Sequence, residues 1–293
     1  MFYALASSLF HASSVVVLRP LFTNRASPET ASFYTLLVGT AATGSWMAGM
    51  VLLSVPEPVS IQAIAYFVLS GVLGAGIARI ANYHTVKILG ATRGNLLVSS
   101  SPLFVLPLAA LFLDEVITIS KLGGALLIFT AILIISMEGE RHSGKTLLSR
   151  FTRRGAAFGI FAAVFYTFAR LSRKVGIDYA FAPVSASFLS SATALLIISS
   201  TSVVSSNFSV KVGKSAAKML LFAGLMQAVG QILEFISYGT GDASLVVPLR
   251  GITPLFTAGL SYLFIRQYER MTIYLVIAVL VGVAGIVILS LGT

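Results

Sequence analysis

The chain has 293 residues, 57% of them hydrophobic and only 10% charged, with a mean hydropathy of +0.94 and a formal net charge of +10. Length alone would suggest two soluble domains, but this balance excludes them and describes a polytopic membrane protein. With no cysteine there is no disulfide or thiol chemistry, and because the basic residues cluster in short loops the positive charge points to a membrane surface and not to nucleic acid.

A hydrocarbon core about 30 Å thick requires about 20 apolar residues per crossing, and these must be helical because lipid offers the backbone no hydrogen-bond partner. The first such run, 2–22, lacks the charged leader of a signal peptide and reads as a true span, with Ser7, His11 and Ser14 on one face. Runs 31–54 and 61–86 follow, the latter carrying Arg79 and Asn82, and then 92–113, where Ser99, Ser100 and Ser101 precede Pro102. A fifth run occupies 119–137. The basic stretch 138–154 comes next, and its Gly144-Lys145-Thr146 lacks the upstream glycine and the strand of a phosphate-binding loop. The sixth run, 155–174, places Tyr166 and Arg170 one turn apart, and the seventh is 181–204. The eighth, 215–238, holds Gln227, Gln231, Glu234 and Tyr238 at spacings 0, 4, 7 and 11, which is one helix face. The ninth, 243–265, answers with Arg250, Thr253, Thr257 and Ser261, so the two polar stripes are expected to face a shared cavity, and 271–292 is the tenth.

The runs form two copies of one unit. Pro28-x-x-Ala31-Ser32-Phe33 returns as Pro183-x-x-Ala186-Ser187-Phe188, Ser101-Pro102-Leu103-Phe104 as Thr253-Pro254-Leu255-Phe256, and Glu115-x-x-Thr118-Ile119 as Glu269-x-x-Thr272-Ile273. Residues 1–137 and 155–293 are thus two five-helix repeats joined by a basic loop over 138–154. Five is odd, so the second copy enters the bilayer upside down, as in transporters built from inverted repeats. Loops after the odd-numbered spans hold 14 of the 20 Lys and Arg and the other side holds Lys121, Arg170, Arg173 and Lys174. By the positive-inside rule the 138–154 loop is cytoplasmic and both termini face outward.

The order of Leu89-Gly90-Ala91-Thr92, Pro102-Leu103-Phe104, Asp114-Glu115 and Gly123-Gly124-Ala125, with its weaker echo in Ala243-Ser244, Pro254-Leu255-Phe256, Glu269 and Gly282-Val283-Ala284-Gly285, resembles the EamA-type ten-helix transporters of the drug/metabolite transporter superfamily. The resemblance spans the chain and implies an all-α integral membrane protein, a carrier and not an enzyme, in the plasma membrane. Phe10-His11 stand where the family often has Trp, and Tyr34 and Leu189 where Arg is common. The family habit of cytoplasmic termini opposes the charge count.

Ionisable groups within spans are expensive. Of the ten acidic residues only Glu234 lies deep in a span. With the repeat offset, Arg79 matches Gln231 and Asn82 matches Glu234, so Arg79, Asn82, Gln227, Gln231, Glu234, Tyr238 and Arg250 are expected around a midplane cavity, with His11 and Tyr166 as further lining candidates. One Arg is expected to pair with Glu234, leaving a surplus guanidinium for a carboxylate or phosphate. Glu234 and Arg250 also read as a purely structural pair, and Arg170 as a residue that snorkels to the interface. Pro102 and Pro254 are expected to kink their helices. No cofactor or metal motif occurs. The partners expected are a small-molecule solute, the lipid bilayer, and protons or a counter-solute, with the chain a monomer or homodimer. The reading is a secondary-active exporter of small polar organic solutes such as amino acids, working by alternating access. An exchanger of phosphorylated metabolites or a flippase for lipid-linked substrates is the alternative within transport. Glu234 is the candidate for proton coupling: as the coupling site, its exchange for Gln abolishes pH-driven transport, whereas an unchanged pH dependence removes that role.

Overall fold

The computed structural model describes residues 1–23, 28–89, 100–141, 153–204, 213–264 and 273–291. The motif residues Ala91, Thr92 and Glu269, residues 142–152 of the connecting loop, and the basic loop residues Arg25, Arg93, Lys211, Arg266 and Arg270 lie outside the described residues.

Every regular element among the described residues is helical. In chain order they are α1 (Phe2–Thr23), α2 (Pro28–Leu52), α3 (Ile61–Ser70), a π-helical segment (Gly71–Ala78), α4 (Arg79–Leu89), α5 (Ser101–Phe112), α6 (Ile119–Arg141), α7 (Arg153–Tyr179), α8 (Pro183–Val204), α9 (Lys214–Gly239), α10 (Ala243–Arg250), α11 (Thr253–Phe264) and α12 (Ile273–Ser290). Five helical stretches are long and apolar enough to cross a bilayer: Thr30–Leu52, Ile61–Asn82, Arg154–Tyr179, Pro183–Ser200 and Lys214–Gly239. Shorter apolar helices fill the remaining predicted runs. Among the described residues the all-helical character expected from composition is present, with helices of the length and apolarity that a membrane crossing needs.

Two departures from the expected elements matter for the site. The ninth run is two helices and not one: α10 stops at Arg250, Gly251 and Ile252 form a turn, and α11 restarts at Thr253. Pro254 is therefore the second residue of a new helix, where its missing N–H costs nothing, and not a kink within a continuous one. Pro102 occupies the same position in α5, after a turn at Ser100. The third run is interrupted differently, by eight residues wound as a π-helix immediately before Arg79. Gly71 opens that segment because a Cβ there would lie 2.5 Å from the carbonyl oxygen of Ser190 on α8. Next to it the hydroxyls of Ser70 and Ser190 meet at 3.0 Å.

Several long helix pairs run antiparallel. Along α3, the π segment, α4 and α7, Tyr66 stacks on Tyr179, Gly74 faces Ala169, and His84 stacks on Phe158. The helices α1 and α9 pair the same way, as do α2 and α8, and α6 packs along α12. At the end where α3 and α8 begin and α7 and α9 finish, Ala63, Phe67, Ile177, Ala182, Ala186 and Phe235 form a fully packed layer.

That end is held by two carboxylate clamps. Helix N-termini carry unpaired N–H groups and a partial positive charge, which an anion satisfies. Both oxygens of Glu57 accept from the start of α8, from Val184 N at 3.1 Å and Ser185 N at 2.7 Å. Glu115 does the same for α10, from Ala243 N at 2.7 Å and Ser244 N at 2.8 Å. Asp114, at φ 53°, makes the left-handed turn that aims Glu115 there, a conformation Asp tolerates. Asp242, the residue at the N-cap position, pairs instead with the buried Lys121 at 2.6 Å. The Glu115→Ala variant should lose about 2–3 kcal/mol of stability, read as thermal unfolding in detergent, with Glu115→Gln losing less. Equal losses, or none, would show that the clamp is idle.

Candidate functional site

A cavity of about 180 Å³ opens among α1, α2, the π segment and α4 on one side and α7 to α10 on the other. Of the residues expected from the sequence, His11, Arg79, Tyr166, Gln227, Gln231, Glu234 and Arg250 line it. The stripe on α9 is legible in three dimensions: Gln227, Gln231 and Glu234 succeed one another along one wall.

Glu234 organises the charges. Its side chain is 1% exposed, with Oε2 2.7 Å from Arg173 Nη1 and Oε1 paired with Arg250 Nη1. Tyr238, fully buried beneath it, donates its hydroxyl to Oε1 at 3.5 Å and does not itself reach the cavity. The expected single pairing with one arginine is thus a double one, and its second member was not anticipated. Arg173 had been counted among the charges on the side of the membrane that holds few, but α7 continues to Tyr179 and carries Arg173 into the interior, where its guanidinium also lies 5.5 Å from the ring of Phe235. The signal was present in the sequence. Tyr166, Arg170 and Arg173 are spaced 0, 4 and 7, the same face rule that singled out α9.

Arg170 departs from expectation as well. It does not snorkel outward; it lines the cavity, donates from Nη1 to the hydroxyl of Ser101, and lies 6.0 Å from the ring of Tyr166. Ser101 opens α5, so this contact ties α7 to the helix that starts after the fourth-run turn. Thr167, one turn back, donates to Ser101 O at 3.4 Å.

Arg250 reaches Glu234 because α10 ends there. Helix C-termini favour cations, and the carbonyl of Arg250 is taken by the hydroxyls of Thr253 at 2.7 Å and Ser8 at 3.5 Å. Thr253 and Thr257 therefore serve the backbone, Thr257 donating to Thr253 O at 2.9 Å. The second polar stripe does not face the cavity beyond Arg250, because the break at Gly251 removes the helical phase that defined it; the Ser261 side chain lies outside the described residues.

His11 lines the cavity, with Nδ1 2.9 Å from Ser7 O. That distance assigns the proton to Nδ1 and leaves Arg250 Nη2, at 3.4 Å, a neighbour. Gly230 makes room for the ring, since a Cβ there would stand 2.5 Å from Nδ1. Ser7 carries the helix–helix contact, donating to Gly230 O at 2.7 Å. Asn82 does not line the cavity and its buried Oδ1 has no partner. It was placed by equating it with Glu234 across the repeat, and the π segment upstream of it breaks that equivalence of angle. Gln231 Nε2 reaches Ser187 O at 3.5 Å. Among the described residues no group of three His, Asp or Glu is set to hold a metal ion.

A charged cavity thus lies among helices long and apolar enough to cross a membrane. The EamA-like transporter family matches residues 1–137 and again 153–291, so the chain belongs to that family and with it to the drug/metabolite transporter superfamily of membrane transporters. It is similar to an uncharacterised protein of Methanocaldococcus jannaschii, 32% identical over 71 residues, which are 24% of this chain and 50% of that relative. The matched stretch thus spans half the length of the curated relative. A solved crystal structure of a protein superposes with a TM-score of 0.78 at 15% identity, over 99% of this chain and 96% of its own, which shows a shared fold.

Removing one member of a buried ion pair costs about 3–5 kcal/mol when it strands a charge. Glu234→Gln strands two guanidiniums, whereas Arg173→Gln or Arg250→Gln leaves Glu234 still paired. Thermal unfolding in detergent should rank Glu234→Gln well below both arginine variants; equal losses in all three would contradict the shared carboxylate.

Proposed function

We propose that the chain is a secondary-active carrier, an exporter of small polar organic solutes such as amino acids or related metabolites, working by alternating access around this cavity. The observation that carries the reading is a small, arginine-rich cavity, enclosed by helices of both family repeats, in a member of a transporter family. Its volume of about 180 Å³ falls below the ~300–1,000 Å³ typical of sites for drug-sized ligands. That favours a small metabolite over a drug.

The inverted five-helix repeat is supported by which helices touch. Exchanging each helix for its counterpart in the other half turns the packing of α1 on α9 into that of α7 on α3, and α1 on α11 into α7 on α5. The packing of α2 on α8 and of α6 on α12 maps onto itself. In this ten-span arrangement the packed layer and both carboxylate clamps close one end. With that end packed shut, the expected route into the cavity is from the other end, that of the basic loops. With Arg170 and Arg173 lining the cavity and left out of the count, the charge asymmetry becomes 14 against Lys121 and Lys174. This favours the plasma membrane orientation in which the 138–154 loop is cytoplasmic and the cavity is entered from inside. Protons or a counter-solute supply the driving force, and Glu234 is a coupling site only if its two ion pairs open during the cycle.

Uptake from a mixed metabolite pool into proteoliposomes, read by mass spectrometry against protein-free vesicles, tests the carrier. Saturable accumulation of at least one small solute is expected. Accumulation no greater than in empty vesicles, under any proton gradient and in either orientation, would overturn it.

A further inference from the structure

We propose that the solute carries at least two negative charges, as a phosphate monoester or a di- or tricarboxylate does, and that Arg79 and Arg170 grip it from opposite walls. The inference rests on the carrier reading above and narrows its substrate class, setting aside the neutral amino acids in favour of multiply charged metabolites.

Four guanidiniums line the cavity, those of Arg79, Arg170, Arg173 and Arg250, and among the described residues Glu234 is the single carboxylate that does. Arginine does not shed its proton in a protein, so the surplus charge cannot be relieved by titration. Glu234 is consumed by Arg173 and Arg250. Of the other two, Arg170 has only a neutral hydroxyl and an aromatic ring for company, and Arg79 has no hydrogen-bond or ion-pair partner among the described residues. The site also keeps donors in reserve: Nε of Arg173 and Nε of Arg250 are buried without partners. Arg79 and Arg170 are half-buried, and a cation drawn partly out of water without a counter-charge is costly; the group that relieves both is a ligand with two anionic charges. Guanidinium forks suit carboxylate and phosphate oxygens.

The same count disfavours a zwitterion. The ammonium of an amino acid needs an anionic acceptor, and the one carboxylate present already serves two arginines. A zwitterion would leave the net charge of the cavity unchanged, and a monocarboxylate would neutralise one arginine of two. Gln227, Gln231 and Tyr166 supply neutral donors and acceptors for hydroxyl or carbonyl groups on the rest of the solute.

The test uses glycerol 3-phosphate and citrate against lactate and alanine, each probe measured twice: as uptake into proteoliposomes and as thermal stabilisation of the detergent-purified chain. The two multiply charged probes should both stabilise and accumulate, and alanine should do neither. Arg79→Gln and Arg170→Gln should each raise the half-saturating concentration about 10- to 100-fold, the worth of a charged hydrogen bond. Arg79→Lys and Arg170→Lys, which keep the charge but lose the fork, should fall between, so a folding defect in the Gln variants does not decide the matter. Alanine accumulating while the multiply charged probes neither bind nor move would overturn this inference and leave the carrier intact. Stabilisation by those probes with no uptake of any solute would uphold the inference and overturn the carrier. No binding and no uptake by any probe overturns the inference and leaves the carrier to the metabolite-pool uptake.

Discussion

One buried carboxylate shared by two guanidiniums sets the geometry of the interior. Glu234 on α9, Arg173 on α7 and Arg250 at the end of α10 can meet only if three helices approach within side-chain reach at one depth. At membrane depth no water is at hand to substitute for a missing partner. The rest of the interior follows from this requirement. The break after Arg250 exists where the guanidinium needs a helix end, Gly230 is bare so that His11 can lie beside the cluster, and Tyr238 closes the far side of the carboxylate.

A second use of carboxylates explains residues that repeat in the sequence without any visible chemistry. Glu115 and the Ala243-Ser244 pair belong to different halves of the chain, yet the clamp joins them. The Glu of the first copy's motif and the Ala-Ser of the second copy's are thus one contact made between copies. Glu57 makes an equivalent grip on α8. Both grips neutralise helix N-termini at the end of the bundle that carries few basic side chains, where a carboxylate near a partial positive charge is at its most useful.

Much of this was legible in the amino-acid order. Apolar run lengths gave most helix ends to within a few residues, because in a membrane hydropathy and secondary structure are a single constraint. The stripe of Gln227, Gln231 and Glu234 was found by periodicity and holds. The failures have physical causes. Arg170 and Arg173 were lost because a charge near the end of an apolar run looks like a loop residue, while α7 extends to Tyr179 and keeps both inside. Thr253 and Thr257 were credited to the cavity because helical phase was carried across a break that sequence hydropathy does not register. Asn82 was carried over from its counterpart in the other half, although only sequence, and not backbone geometry, is repeated there.

The π segment that produced this last error also bears on how the chain tolerates change. Each residue of an α-helix advances the direction of its side chain by about 100°, and a π turn holds more backbone than an α turn. Losing one residue anywhere in Gly71–Ala78 would let the helix revert to ordinary winding and swing Arg79 away from the cavity, with no charged residue altered. The charge of the site is therefore encoded partly in the length of an apolar, glycine-rich stretch. A substitution there disturbs packing, as a side chain at Gly71 would against Ser190, but leaves the direction of Arg79 alone, whereas a single insertion or deletion would rewrite which wall carries the arginine.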